Sequence, residues 1–180
     1  MSNLTETQIE RREIYDGKIL HVFVDTVRLP NGEEATRELC EHVGAVAIVA
    51  LTDDGKVIME RQYRYPLGRV FFEIPAGKLN YKSEDIYSAA ARELQEETGA
   101  VAREMTYIGE INTTPALMDE RIHIFLARGI TFGDRSLDED EFIDVELVPL
   151  SELVELVMKG DIKDAKTTTA ILKVARIVGI

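Results

Sequence analysis

Apolar residues recur along this chain first at the spacing of strands and later at the spacing of helices. Residues 18–27, KILHVFVDTV, are rich in β-branched and aromatic side chains, and a Pro-Asn-Gly turn at 30–32 precedes a second extended pattern, TRELCEHV. Together they predict an N-terminal antiparallel β-meander. A second apolar run, Val43 to Leu51, ends at Thr52-Asp53-Asp54-Gly55, and Lys56 to Arg61 reads as its hairpin partner. The stretch RVFFEIPAGKLN predicts a strand that stops at Pro75, because proline has no N–H to donate to a ladder, and Gly77 permits a sharp bend beyond it.

From Ser83 the pattern changes. SEDIYSAAARELQEETG contains helix formers throughout, with Ser83 expected as N-cap, Glu84 and Asp85 in the first turn and Gly99 as the stop. Strand-like segments return at Met105–Ile111, Arg121–Ala127 and Phe142–Val148, and SELVELVMKG and DAKTTTAILKVARIVG close the chain as helices. The order is mixed α and β, with a helix between sheets and no internal repeat.

A chain of 180 residues can bury one substantial core, so one main domain with a small appendage is expected. The net charge of −12 carries no basic footprint for nucleic acid. A small anionic ligand would need metal ions or local arginines to reverse the field. The lone Cys40 makes no internal disulfide, and no cysteine and histidine pairs stand at zinc spacing, which fits a reducing cytoplasm. No apolar run approaches the roughly 20 residues needed to span a bilayer. The polar start, MSNLTETQIERR, lacks the apolar segment of a signal peptide, so a soluble, unprocessed protein without membrane contact is expected.

The helical stretch RELQEETG crowds three carboxylates and a guanidinium into six residues. Helical spacing stacks Glu93 on Glu97 with Glu96 beside them, and like charges at that spacing repel unless a cation bridges them. Oxygen donors without sulfur or imidazole favour magnesium or manganese over zinc. Glutamate-rich faces are also commonly just solvated, so the helix alone leaves both readings open. Its surroundings carry further order: Glu84, Ser88 and Arg92 form one line two turns long, and Gly77 and Gly99 bracket the unit.

PAGKLNYKSEDIYSAAARELQEETGA resembles the signature of the Nudix hydrolases: a glycine, a spaced glutamate, then Arg-Glu-apolar-X-Glu-Glu-X-Gly-apolar. The helical part is intact. The loop is one residue longer than the family pattern, with six residues between Gly77 and Glu84, while the seven-residue gap to Arg92 is kept. The alternative register, with Ser83 in the glutamate slot, breaks the helical line. The resemblance implies an α+β fold, an α/β/α sandwich on a mixed β-sheet core carrying the signature loop and helix. The N-terminal meander (residues 1–42) would serve dimerisation and residues 43–180 would form the hydrolase domain. It also implies hydrolysis of a diphosphate linked to a further group.

Pro115, fifteen residues after Ala100, resembles the ADP-ribose pyrophosphatase branch, as do MDERIHIFLA and the run from Tyr15 through EHVGAVAIVAL. The expected reaction is magnesium-dependent cleavage of ADP-ribose to AMP and ribose 5-phosphate, with manganese able to substitute. Another nucleoside diphosphate sugar such as GDP-mannose, or a ligand-sensing module without turnover, are the alternatives. On this likeness the Ala76 carbonyl, Glu93, Glu97 and Glu141 ligate metal with Glu96 nearby, and Glu139 deprotonates the attacking water; the roles of Glu139 and Glu141 are exchangeable. Arg92 is expected to fix neighbouring carboxylates through charge-assisted bonds. Arg61, Arg64 and Arg69 are candidates for the phosphates because arginine presents a planar fork to oxyanions. Glu73 resembles a nucleoside-contacting position, and Phe71, Phe72 and Tyr63 are candidate stacking faces. His21, His42 and His123 are scattered and expected to be structural. Relatives of this kind form homodimers with exchanged N-terminal strands, and the apolar KILHVFV run is compatible with that use.

Overall fold

The computed structural model describes residues 3–137 and 139–180, so Asp138 of the acidic stretch lies outside the described residues. The chain divides into two compact units.

The first unit comprises residues 1–43 and 112–120. It holds an antiparallel meander of β1 (Thr7–Asp16), β2 (His21–Arg28) and β3 (Glu34–Glu41) in the order β1-β2-β3. β1 lies in the polar start, where no strand was expected. Every one of its positions is exposed, so it has no buried face to impose an alternating pattern. Beside the backbone ladder, Arg11 ties it to β2, donating to both Asp25 oxygens at 2.8 Å and lying over the Phe23 ring. The segment 112–120 joins the meander through Cys40, whose N–H donates to the Leu117 carbonyl at 2.8 Å.

The second unit is built on two sheets. One has the order β7-β4-β9-β8, from β4 (Ala45–Ala50), β7 (Ala76–Lys78), β8 (Ala100–Asn112) and β9 (Arg121–Phe132), with β4 parallel to β9. The other, antiparallel, has the order β10-β5-β6, from β5 (Lys56–Arg64), β6 (Arg69–Glu73) and β10 (Ile143–Pro149). β4 reads AVAIVA and is buried at every position, as a central strand covered on both faces must be. Ala45, Ala47 and Val49 join Ile122, Ile124 and Leu126 of β9 and Val57 and Met59 of β5 in the main core. This core is closed by Leu150, Leu153 and Val157 of α2 (Leu150–Lys159) and Ala170, Ile171 and Val174 of α3 (Ala165–Val178). On the opposite face of β9, Phe125 meets Tyr87 of α1 (Ile86–Thr98) edge-on at 5.1 Å. The result is a mixed α+β layering.

Two local expectations are corrected. β4 and β5 are not hairpin partners: both edges of β4 are taken, by β7 and β9, and β5 pairs with β6 and β10 in the other sheet. The tight turn exists, with Thr52 N–H on the Lys56 carbonyl, but only the Leu51–Val57 bridge continues from it. The N-cap of α1 is Asp85, not Ser83. Glu84 stays in the preceding turn because Asn80 holds its carboxylate, by N–H at 2.6 Å and Nδ2 at 3.1 Å, and Asp85 accepts the Ser88 N–H at 2.9 Å.

Candidate active site

The strand–turn–helix unit from β6 through β7 to α1 brings the signature carboxylates against a backbone edge. Ala76 N–H donates to Glu97 Oε2 at 3.0 Å, instead of to the neighbouring strand. In an antiparallel ladder a residue's N–H and C=O leave by the same edge, so the Ala76 carbonyl also faces away from β4. Gly77 packs under the Glu93 carboxylate so closely that a Cβ there would fall 2.0 Å from Glu93 Cδ. Arg92 donates to Glu93 at 2.8 Å and to Glu96 at 3.0 Å, and reaches the Lys78 carbonyl at 3.4 Å and Glu84 at 3.5 Å. Glu84 thus reaches Arg92 from the turn before the helix.

Electrostatics among these carboxylates are severe. Glu97 is 4% exposed, and burial, then the charges of Glu60 and Glu93, push its carboxyl up to about 10 against the help of the Ala76 N–H. Burial also raises Glu93, with Arg92 opposing. Glu141 adds to the repulsion on both Glu93 and Glu97, so its charge faces the cluster, whereas Glu139 stands exposed in the adjoining turn. The ends of that acidic loop are tied down by Arg135, which donates to the Glu97 carbonyl at 2.7 Å and to the Ile143 carbonyl at 2.8 Å.

Glu60 extends the acidic line inward. It lies on β5 opposite Glu73 of β6, fully buried, and its Oε1 has no partner among the described residues. Burial, then Glu73, raises its carboxyl to about 8. The strand alternation sorts the arginines. Register pairs Glu60 with Glu73 and Arg64 with Arg69, so Arg64 and Arg69 share the Glu73 face of the hairpin, while Arg61, paired with Phe72, is on the other. Arg61, expected among the phosphate ligands, instead lies over Phe72 at 4.4 Å and pairs with Glu146 at 2.8 Å. Phe71 is likewise covered, by Arg69 at 4.8 Å. Glu73, expected to meet the nucleoside, is buried with Oε1 on Arg64 Nε at 2.8 Å and Oε2 on Lys166. It holds cations here.

These donors suit a hard divalent cation. They are oxygens only, Glu60 and Glu97 among them are buried, and Glu60 keeps an unpartnered oxygen while its charge and that of Glu93 repel Glu97. Among the described residues no three His, Cys, Asp or Glu groups converge as a ready-made cage. Glu93 is turned to Arg92 and Glu97 to the Ala76 N–H.

The NUDIX domain profile matches residues 41–171, and the profile of the nucleoside diphosphate sugar hydrolase N-terminal domain matches residues 6–39. The chain belongs to the Nudix family. Members of this family generally use divalent metals. The chain is 45% identical over 173 residues to the ADP-ribose pyrophosphatase of Bacillus subtilis (strain 168), covering 95% of this chain and 93% of that one. It is 40% identical over 168 residues to the methanol dehydrogenase activator of Bacillus methanolicus, covering 92% and 90%. The fold superimposes on the crystal structure of an ADP compounds hydrolase with a TM-score of 0.86 at 22% identity, over 99% of this chain and 97% of that one.

The charged residues missed in sequence left uneven traces. Glu60 gave none, since a charged residue in a strand reads as its solvent side. Lys166 left one: it stands four residues before Ala170 on the stripe that buries Thr167, Ile171 and Val174, a place where a lysine needs a buried partner.

Proposed function

We propose that this Nudix protein hydrolyses the diphosphate of ADP-ribose to AMP and ribose 5-phosphate, with magnesium as its cation and manganese as a substitute. The observation that carries the reading is the buried Glu97 carboxylate, set against Glu93, Glu60 and Glu141 at the strand–helix turn, with arginines on the neighbouring hairpin face. The likeness to the ADP-ribose pyrophosphatase of Bacillus subtilis, over nearly the whole length of both chains, supports ADP-ribose as substrate.

Glu93, Glu97, Glu141 and the Ala76 carbonyl would hold the cation, with Glu96 beside them. When bound, it neutralises phosphate oxygens and makes a water more acidic. Arg92 keeps Glu93 and Glu96 oriented by charge-assisted bonds. Arg64 and Arg69 receive the phosphates. Glu139 takes the proton from the water that attacks phosphorus while the bridging P–O bond breaks, and Glu141 stays with the cation.

A cytoplasmic homodimer with exchanged N-terminal strands completes the reading. The exchange is supported by β1, exposed along its whole length with Ile9, Ile14 and Tyr15 uncovered.

The test is kinetic. Values of kcat/KM for ADP-ribose, GDP-mannose, NADH and diadenosine polyphosphates, with and without magnesium, should place ADP-ribose among the best and show turnover only with the cation. A preference for GDP-mannose would move the substrate assignment, and binding without turnover would make the protein a sensor.

A further inference from the structure

Lys166 enters the interior from the first turn of α3. It is 8% exposed, and its Nζ meets Glu73 Oε2 and, at 3.1 Å, Asp164 Oδ2. Asp164 is itself fixed as the N-cap of α3, accepting the Thr167 N–H at 3.0 Å. The lysine therefore has one place to be.

Its partner has two oxygens and two cations. An arginine beside a buried carboxylate ordinarily closes on it fork to fork, using two parallel N–H bonds. Arg64 does not do so: it reaches Glu73 Oε1 through Nε alone, at 2.8 Å, and among the described residues its terminal nitrogens donate to no side chain or carbonyl. The Arg64 side chain is 40% exposed, whereas that of Glu73 is 2%. The guanidinium is thus anchored at its inner edge and open at its outer one, on the same hairpin face as Glu73 and Arg69. The geometry is the one a side-on seat imposes when the second carboxylate oxygen is already occupied. A lysine suits that occupancy because it is a compact point charge that claims one oxygen.

We propose that Lys166 is a positioning residue for Arg64: by holding Glu73 Oε2 it confines Arg64 to Oε1 through Nε and leaves both terminal nitrogens for the substrate diphosphate. This rests on the reading of Arg64 as a phosphate ligand. The helix that ends the chain thereby sets the aim of an arginine on the hairpin before the signature, about a hundred residues earlier.

The experiment is a double-mutant cycle on the full-length protein, with kcat and KM for ADP-ribose measured in wild type, Lys166→Met, Arg64→Ala and the double variant. Loss of one charged contact to the diphosphate predicts a KM about tenfold higher for Arg64→Ala. Lys166→Met should raise KM about as much while changing kcat less, Lys166→Arg should restore part of the loss, and in the Arg64→Ala background Lys166→Met should add less than about twofold. A tenfold KM effect of Lys166→Met in both backgrounds, or none where Arg64→Ala has one, overturns the relay and leaves the phosphate role of Arg64 standing. A wild-type KM for Arg64→Ala overturns both. Should Lys166→Met not fold, Glu73→Gln takes its place in the cycle with the same expectations and the same failures.

Discussion

Gly77 lies directly beneath the Glu93 carboxylate, where a Cβ would stand 2.0 Å from Glu93 Cδ and 2.1 Å from its Oε2. The clash would fall on the free end of a flexible side chain, so the fold can absorb it by moving Glu93. Gly77→Ala should therefore leave stability within about 0.5 kcal/mol of wild type. Because Glu93 would be swung off its place, kcat should drop about 100-fold. Thermal melting and steady-state kinetics on one preparation check this. Normal activity in the folded variant would mean that Glu93 does not serve from this position.

Proton uptake by the acidic cluster gives the stability a direction with pH. Folding raises the carboxyls of Glu60 and Glu97 from 4.5 to about 8 and about 10. Between the unfolded and folded values the native state holds protons that the unfolded chain has released, so this contribution is full below the unfolded value and is lost as pH rises. In chelator, Tm should fall between about pH 5 and about pH 9. The fall should be shallower in Glu97→Gln, and magnesium should recover Tm most at the alkaline end, because a cation replaces the protons. A chelated protein whose Tm is flat or rising over that range would contradict the buried, crowded state of these carboxylates.

Arg92 is the common partner of Glu84, Glu93 and Glu96. A planar guanidinium serves carboxylates in three directions, and an ammonium is a single point charge. Arg92→Lys should lower kcat about 10- to 100-fold, as loss of an orienting contact behind a ligand does, with KM for ADP-ribose little changed. A KM effect without a kcat effect would place Arg92 on the substrate instead.

How far the sequence foretold this site depends on the range of the interaction. The crowding of Glu93, Glu96 and Glu97 with Arg92 is set by helical spacing, a property of neighbours along the chain, and the Pro75 stop and Gly99 end follow from local backbone rules. The pairing of β4 and β5 was misjudged because Thr52–Lys56 is locally a good turn, while sheet membership is decided by Ala45–Ala50 needing cover on both faces. The capping error at Ser83 has the same origin: Asn80 and Arg92 claim Glu84 from either side. Glu60, Arg135 and Lys166 act across pairings that periodicity does not encode. β1 escaped notice because an edge strand with no buried face carries no alternation.

The turn that carries Ala76 is braced from behind by Thr167. Its Oγ1 accepts the Ile74 N–H at 3.0 Å and donates to Asp164 at 2.5 Å, and the residue is fully buried. Thr167→Val keeps the shape of the side chain and removes the acceptor, leaving the Ile74 N–H buried without a partner. That should cost about 1–3 kcal/mol, seen as a lower urea midpoint at unchanged m-value. Thr167→Ser retains the hydroxyl and should lose less, mainly through one missing methyl. Since Ile74 precedes Pro75 and Ala76 by only one and two residues, kcat should fall with Thr167→Val and recover with Thr167→Ser. A Thr167→Val protein as stable as wild type would show that the Ile74 N–H finds another acceptor and that the turn does not depend on α3.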